Sequence, residues 1–490
     1  MIASVAAAAT SMAAAADEPA SGLTLSLDEA IARARATSLD AAVALGELKS
    51  AYWEYRSYRA DLLPEVILGA TAPSYVKQFT PYMDESGNYS FVSTNNLQAS
   101  GNLSLSQTIW ATGGKLSLSS QIDFLRQFSG TTYNRFMSIP VALTLEQPIF
   151  AANTAKWNRR IEPVRYREAK AQFMTASEQV ALSTINYYFT LLLARENVAS
   201  ARQNLANAEK LYAVAQEKRS MGQISKNDLL QMELNLLNAR SALTDGLSDE
   251  RAAMFRLRAF LDFDESTEII PIVPSEAPDV ELDYPDVLDK ALERNKLAAN
   301  LRRRQLEADY EVAKAKGNLR SISLRASVGY TGADHTFGNA YRDLKDNQVV
   351  EVGISIPLID WGKRRGRVKV AESNRDVVAA RLRQEKLTFT QDLFVLVERF
   401  SNQRQQLDIA ERADTIASRR YDTNVETYLI GRISTLDLND SQSSKDEARR
   451  AYINELFNYW YYYYQIRSIT LWDFVAGSPL ESDFEQAVRH

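Results

Sequence analysis

The chain has 490 residues, 57 Lys and Arg against 62 Asp and Glu, a formal net charge of −5, no cysteine and two histidines. That balance argues against nucleic acid, whose phosphates need a clear basic excess, and the lack of Cys removes disulfides, thiolate sites and a cysteine-borne lipid anchor. His335 in a Gly-rich loop and His490 at the last position leave Zn and Ser-His-Asp chemistry poorly supplied, so no enzyme, cofactor or metal site is expected.

With only 19 Gly and 13 Pro, the chain is expected to consist of few long elements. Residues 1–16 are nearly all Ala, Val and Ser and end in small residues before Asp17-Glu18-Pro19, which reads as the apolar part and cleavage site of a secretory signal. No later run reaches the ~18 apolar residues of a membrane-spanning helix, so entry into a membrane requires strands. A first repeat is expected over 17–261 and a second over 284–472, with an acidic, Pro-rich linker at 262–283 and a partly disordered tail at 473–490.

A helix over 27–62 aligns with one over 284–318 at an offset of 258, pairing Leu39 with Leu297 and Tyr52 with Tyr310. Both lead into strands, Glu65–Ala70 in the first repeat and 322–331 in the second, where Leu324, Ala326, Val328 and Tyr330 share one face. Closing strands end at Pro148 and, after 349–359, at Pro357, so this offset is 357 − 148 = 209. The first repeat therefore holds 258 − 209 = 49 extra residues, read as an added β-hairpin near 97–128 that either joins the sheet or covers one end. Tyr-, Ser- and Asn-rich stretches at 74–96 and 332–348 are expected to be long exposed loops. Strands of about ten residues with apolar-out, polar-in alternation carry the weak signature of an outer-membrane barrel, although a soluble sandwich would alternate in the same way.

Helices are then expected over 152–219 and 227–261, and again over 363–429 and 436–469. At ~1.5 Å per residue the longer ones reach on the order of 100 Å, too long to be buried in a globule. Leu191, Ala194, Val198, Ala201, Leu205, Ala208, Tyr212 and Ala215 make a heptad seam, and 209 residues on Phe400, Gln403, Leu407, Ala410, Asp414, Ala417, Tyr421 and Asn424 keep its register. Each helix pair turns at a G-x-I-S-x-x-D-L tip, first at Gly222, Ser225 and Asp228, then at Gly431, Ser434 and Asp437. Gly can end one helix in the left-handed region, Ser can cap the next, and Asp suits its positive end.

The repeated order of helix, strands and long helical hairpin, with these tips and the closing segments Gln147-Pro148-Ile149-Phe150 and Pro357-Leu358-Ile359-Asp360-Trp361-Gly362, resembles TolC-family outer-membrane efflux proteins. The resemblance covers nearly the whole mature chain. It implies a mainly α protein with a membrane β-barrel part, a homotrimer whose α-barrel continues from a β-barrel in outer-membrane lipid across the periplasm of a Gram-negative bacterium. It further implies docking through a periplasmic adaptor to an inner-membrane pump of RND or ABC type, for export of drugs, toxins or proteins. In the family an acidic constriction with a Tyr and Asp network closes the periplasmic end. The matching positions are Asp228, Tyr428, Asp437 and Asp440, while Ile433 stands where the best-known member has an Arg.

Capping alone would account for Asp228 and Asp437, whereas Asp440 lies a turn further on. Around a threefold axis Asp437 and Asp440 would select cations and raise one another's pKa. The basic run Lys363-Arg364-Arg365-Gly366-Arg367 opens a helix after a strand and reads as junctional charge near lipid headgroups. The aromatic run Tyr459 to Tyr464 reads as interprotomer packing. The rival readings are a periplasmic adaptor with long coiled-coil hairpins, a carboxylate-dependent hydrolase and a general porin.

Overall fold

In a computed structural model the described residues are 22–83, 86–274, 278–355, 359–430, 432–481 and 484–489. The signal-like segment 1–16, the tip residue Gly431 and Pro357 lie outside them. The described chain runs β1 (Leu23–Leu25), α1 (Leu27–Thr37), α2 (Leu39–Ala60), β2 (Glu65–Met83), β3 (Tyr89–Ile109), β4 (Gly114–Gln127), β5 (Tyr133–Pro148), α3 (Thr154–Ser220), α4 (Lys226–Leu261) and β6 (Ile269–Pro271). It continues with α5 (Tyr284–Arg294), α6 (Lys296–Gly317), β7 (Ser321–Asp334), β8 (Lys345–Ser355), α7 (Lys363–Leu429), α8 (Thr435–Thr470), β9 (Trp472–Asp473), β10 (Ser478–Pro479) and α9 (Phe484–Arg489).

The duplication shows in element lengths, 67 residues for α3 and α7 and 36 for α4 and α8, each pair starting 209 apart (363 − 154 and 435 − 226). The leading helices differ from expectation, because each is two helices. Ser38 breaks the first with extended backbone at ψ 148°, and Asn295 breaks the second at ψ 145°. Ser38 ends α1 through its N–H to Ala34, and its hydroxyl accepts the Ala41 N–H at 3.2 Å, so one residue closes one helix and caps the next. Asn295 donates its amide to Ile469 O at 2.7 Å. These helices repeat at 284 − 27 = 257, one residue less than the alignment of leucines suggests.

The chain divides into two compact units, and α3 and α7 contribute to both. One unit, Leu48–Lys170 with Lys296–Phe389, holds a six-stranded antiparallel sheet in the order β2-β3-β4-β5-β7-β8. The extra hairpin is β3–β4, and it enters the sheet between β2 and β5. The expected loop at 74–96 is instead mostly strand, since β2 and β3 stay paired from Ser74↔Gln98 out to Met83↔Tyr89. Its Thr, Ser and Asn content imitates a loop, but Tyr75, Phe79, Tyr89 and Phe91 are good strand formers on a pleated surface. The second expected loop is shortened as well, by β7 extending to Asp334 and β8 starting at Lys345 rather than 349. Gly329 is required where β5 and β7 slip register, because a Cβ there would lie 2.5 Å from Val141 O.

Read across the register, Val66, Leu105, Leu118, Leu143 and Val328 lie side by side on five successive strands. They are 65, 38, 41, 41 and 52% exposed, an uncovered apolar row. The opposite face is polar, with Thr144 Oγ1 bonded to Ser327 Oγ at 3.1 Å and Arg325 3.7 Å from Glu146.

The other unit, residues up to Glu47, Ala171–Asn295 and from Thr390 on, is mainly helical in its described residues. Leu191, Val198, Phe400, Leu407 and Tyr421 of the heptad seams are buried, and buried Gln403 in the more polar seam donates to Glu455 Oε2 at 2.5 Å. The 262–283 segment is not a free linker: β6 pairs in parallel with β1, and Tyr188 donates to Leu25 O and Ile272 O at 2.8 and 2.6 Å. Nor is the described tail disordered, since β9 pairs with β10 and Phe484 of α9 packs on Phe173. Glu178, 3% exposed, meets Arg35 at 2.5 Å and Arg467 at 3.1 Å. Arg467 also meets Asp473 at 2.8 Å, which ties the tail to α1, α3 and α8. Burial pushes the Glu178 carboxyl up, against the pull of the two guanidinium groups. Two residues of the aromatic run bond within the chain: Tyr459 donates to Pro278 O, and Tyr463 to Asp473 at 3.0 Å.

Candidate gate at the helical hairpin tips

The first tip is a Schellman turn. Gly222 has φ 74°, Gln223 N–H donates to Lys218 O at 2.9 Å, and Gly222 N–H donates to Arg219 O at 3.0 Å. Nothing crowds a Cβ at Gly222, so the backbone angle alone calls for glycine there. Ser225 then caps α4 in a reciprocal box. Its hydroxyl accepts the Asp228 N–H at 3.1 Å, and Asp228 Oδ2 accepts from Ser225 N–H at 3.0 Å and from the hydroxyl at 2.7 Å. The second tip repeats this: Arg432 N–H donates to Thr427 O at 3.1 Å, Ser434 accepts the Asp437 N–H at 3.2 Å, and Asp437 Oδ2 accepts the Ser434 hydroxyl at 2.7 Å. Both Asp228 and Asp437 are thus engaged as helix caps. The Ser hydroxyl, then the Ser N–H, holds each below the usual carboxylate range. In a single chain this is the opposite of the upward shift that clustered carboxylates would give.

Asp440 behaves differently. It lies one turn into α8 and accepts from Arg420 Nη2 of α7 at 2.6 Å, with both groups half-exposed. Residues 420 and 440 are equidistant from residue 430 in the turn, so closing the hairpin places them opposite one another. The corresponding positions of the first repeat, Leu211 and Gln231, carry no such pair. Sequence reading missed Arg420, although equal spacing about the turn was a usable signal.

Tyr428 is half-buried, and burial raises its hydroxyl pKa. Its ring lies 5.8 Å from Lys218 Nζ, near the end of α3, so it links the two tips rather than joining either capping Asp. The α3 helix is held to the second hairpin further up by Asn207 to Tyr421 OH at 2.5 Å, Asn204 to Asp446 at 2.7 Å, and Arg449 between Glu196 and Asp414 at 3.3 and 3.2 Å. The structure therefore places the four acidic and aromatic candidates at the tips of the two hairpins. It joins Asp440 to an arginine that stands away from position 433.

Among the described residues no helix is long and apolar enough to cross a membrane, and no group of three or more His, Cys, Asp or Glu could hold a metal ion. No curated protein sequence matches the chain. Solved structures do: the Campylobacter jejuni CmeC outer membrane channel is 16% identical with a TM-score of 0.66, covering 94% of this chain and 88% of that one. VceC from Vibrio cholerae is 15% identical with a TM-score of 0.62 over 93 and 97% of the two chains, and the open state of Neisseria gonorrhoeae MtrE is 15% identical with a TM-score of 0.59 over 94 and 90%. At this identity they establish a shared fold. The family model for outer membrane efflux proteins matches residues 30–261 and 287–459, which covers both repeats. The chain belongs to the outer membrane efflux protein family, the TolC-like channels of the outer membrane.

Proposed function

We propose that the protein is the passive exit duct of a tripartite export system. Three copies close their sheets into one barrel in outer-membrane lipid, and their helices continue as a tunnel into the periplasm. There a periplasmic adaptor joins it to an inner-membrane pump of RND or ABC type, which supplies the energy for moving drugs, toxins or proteins. The observation that carries this reading is the uncovered apolar row from Val66 to Val328 on a sheet whose edge strands, β2 and β8, each lack a second neighbour among the described residues. Such a face is costly in water and stable against lipid, and open edges are abolished when sheets join into a ring. The adaptor reading does not fit the family match over both repeats.

At the periplasmic end, Asp437 and Asp440, with Asp228 and Tyr428, form the constriction. Both ring acids are exposed at one tip of each chain, so three copies bring six carboxylates toward an axis and favour cations. Arg420 takes the part of the missing arginine by tying Asp440 to α7 while the tip is closed. The test is single-channel recording of the Asp437→Asn, Asp440→Asn double variant in planar bilayers. Loss of cation selectivity and of block by multivalent cations is expected, and unchanged conductance with unchanged block would contradict the assignment.

A further inference from the structure

Among the described residues one chain supplies six strands to the large sheet but four helices to its margin. α2 leads into β2, β5 into α3, α6 into β7 and β8 into α7, whereas β3 and β4 join each other through a turn at 110–113. The four helices lie side by side in that order. The Tyr55 ring of α2 stacks on Tyr166 of α3 at 4.8 Å, Arg303 of α6 meets Glu168 of α3 at 2.6 Å, and Arg304 of α6 meets Glu385 of α7 at 2.6 Å. So α2 touches α3, while β2 and β5, the strands joined to them, are parted by two more.

Those two strands are built into the sheet. β3 pairs with β2 from Ser106 to Tyr89, and with β4 along the whole of β4. Their turn is fixed at the helix ends: Gln107 donates to Leu62 O at 2.8 Å, and Asn153, just before α3, donates to Trp110 O and Ala111 O at 2.9 and 3.1 Å. At 21 and 14 residues, both exceed the ~9–11 that cross a bilayer. They also keep the two faces of the sheet. Leu103, Leu105, Leu116 and Leu118 lie on the side of the apolar row, and Ser106 and Ser117 line up with Thr144 and Ser327 on the other.

We propose that the outer barrel of the duct has eighteen strands, six from each of three copies (3 × 6 = 18), and is wide enough for polypeptide cargo. This rests on the reading of the chain as a trimeric duct, and adds the width of its outer end and the size class of what passes. With six strands, β8 of one copy meets β2 of the next antiparallel, as every neighbouring pair in the sheet does. Barrel diameter grows about linearly with strand number, so the bore is about 1.5 times that enclosed by the helix-linked strands alone (3 × 4 = 12). At ~4.8 Å between strands tilted ~40°, eighteen strands need roughly 110 Å of circumference, and twelve helices spaced ~8–10 Å need roughly 100–120 Å. The added strands therefore fit above the helices without helices of their own. That circumference gives about 35 Å between opposite backbones, room for a helical hairpin at ~10–12 Å per helix. The inward residues of the added strands include Ser104, Ser106, Ser117 and Ser119, which fill little of it.

Electron microscopy of the full protein in lipid nanodiscs counts the strands, and eighteen in one closed threefold barrel are expected. A threefold barrel of twelve, with β3 and β4 laid over its mouth or into its lumen, overturns this inference alone. Absence of any threefold barrel overturns the duct reading with it. Width is then read chemically. The chain has no cysteine, so Ser327→Cys places a single thiol on the inward face, and maleimide polymers of graded size report how wide a molecule reaches it. Deleting residues 89–127 removes β3 and β4, and lets β2 turn directly into β5 with every helix connection kept. The widest polymer that labels the full chain should be about 1.5 times as wide as the widest that labels the deletion variant. Equal limits overturn the proposal, and if the deletion variant fails to fold, the strand count of the full chain decides alone.

Discussion

The helical junction around Glu178 and the six-stranded sheet answer opposite questions about where stability comes from. At the junction the main charged and hydroxyl groups find partners inside one chain: Glu178 in two arginines, Tyr188 in two carbonyls, and Asp473 in Arg467 and Tyr463. The sheet leaves its demands open, with five neighbouring apolar side chains uncovered and two edges unpaired among the described residues. A region that completes itself constrains the fold, and one that does not names its surroundings. In the proposed exit duct those surroundings are lipid on one face and further copies at the edges.

Several substitutions would break or sharpen this contrast. The largest effect belongs to Glu178→Ala, which takes the buried carboxylate from the part-buried Arg35 and leaves Arg467 with Asp473 alone, and should cost ~3–5 kcal/mol in urea unfolding of the detergent-solubilised protein. A loss below ~1 kcal/mol would mean that the junction is not a closed network. Next comes Leu143→Arg in the apolar row. It should cost up to ~2–4 kcal/mol for folding into phosphatidylcholine vesicles, read by heat-modifiable migration on gels, because an arginine on a lipid-facing position has no partner. If folding into vesicles were unaffected, the row would not face lipid.

Smaller effects are expected at the tips. Ser225→Ala and Ser434→Ala should each cost about 1 kcal/mol of local helix stability, seen as faster amide exchange in the first turns of α4 and α8. The caps also set a pH dependence. The folded pKa values of Asp228 and Asp437 lie below the usual 3.8, so their contribution is present above that value and is lost as pH falls through the depressed folded value. Exchange protection at both tips should decline in that acid window in the wild type and stay flat in the Ser→Ala variants. The smallest effect is Arg420→Gln, an exposed pair worth ~0.2–1 kcal/mol. It should leave global unfolding unchanged while raising the open probability of the channel, and identical gating would remove Arg420 from the gate.

The helices and tips were legible in the sequence because their signals are local: a 3.6-residue period, a Gly and Ser at fixed spacing, and a repeat at 209. The four proposed gate residues were named from the family resemblance that those tips carry, not from the local signals themselves. What escaped depends on partners far along the chain. Residues 74–83 and 89–96 have loop composition but are strand because β2 and β3 pair with each other and β3 with β4. Ser38 and Asn295 look like ordinary polar positions in a helix until their bonds to Ala41 and Ile469 are seen. The tail reads as polar and short, yet Asp473 completes a buried charge cluster with Arg467, a residue six positions away whose other partner is Glu178.

Electron microscopy of the detergent-extracted protein tests the central claim most directly. A hollow, threefold particle with a detergent belt around its sheet end and a tapering helical tube beyond is the expected image. A compact single-chain particle that stays dispersed when the detergent is withdrawn would contradict the account.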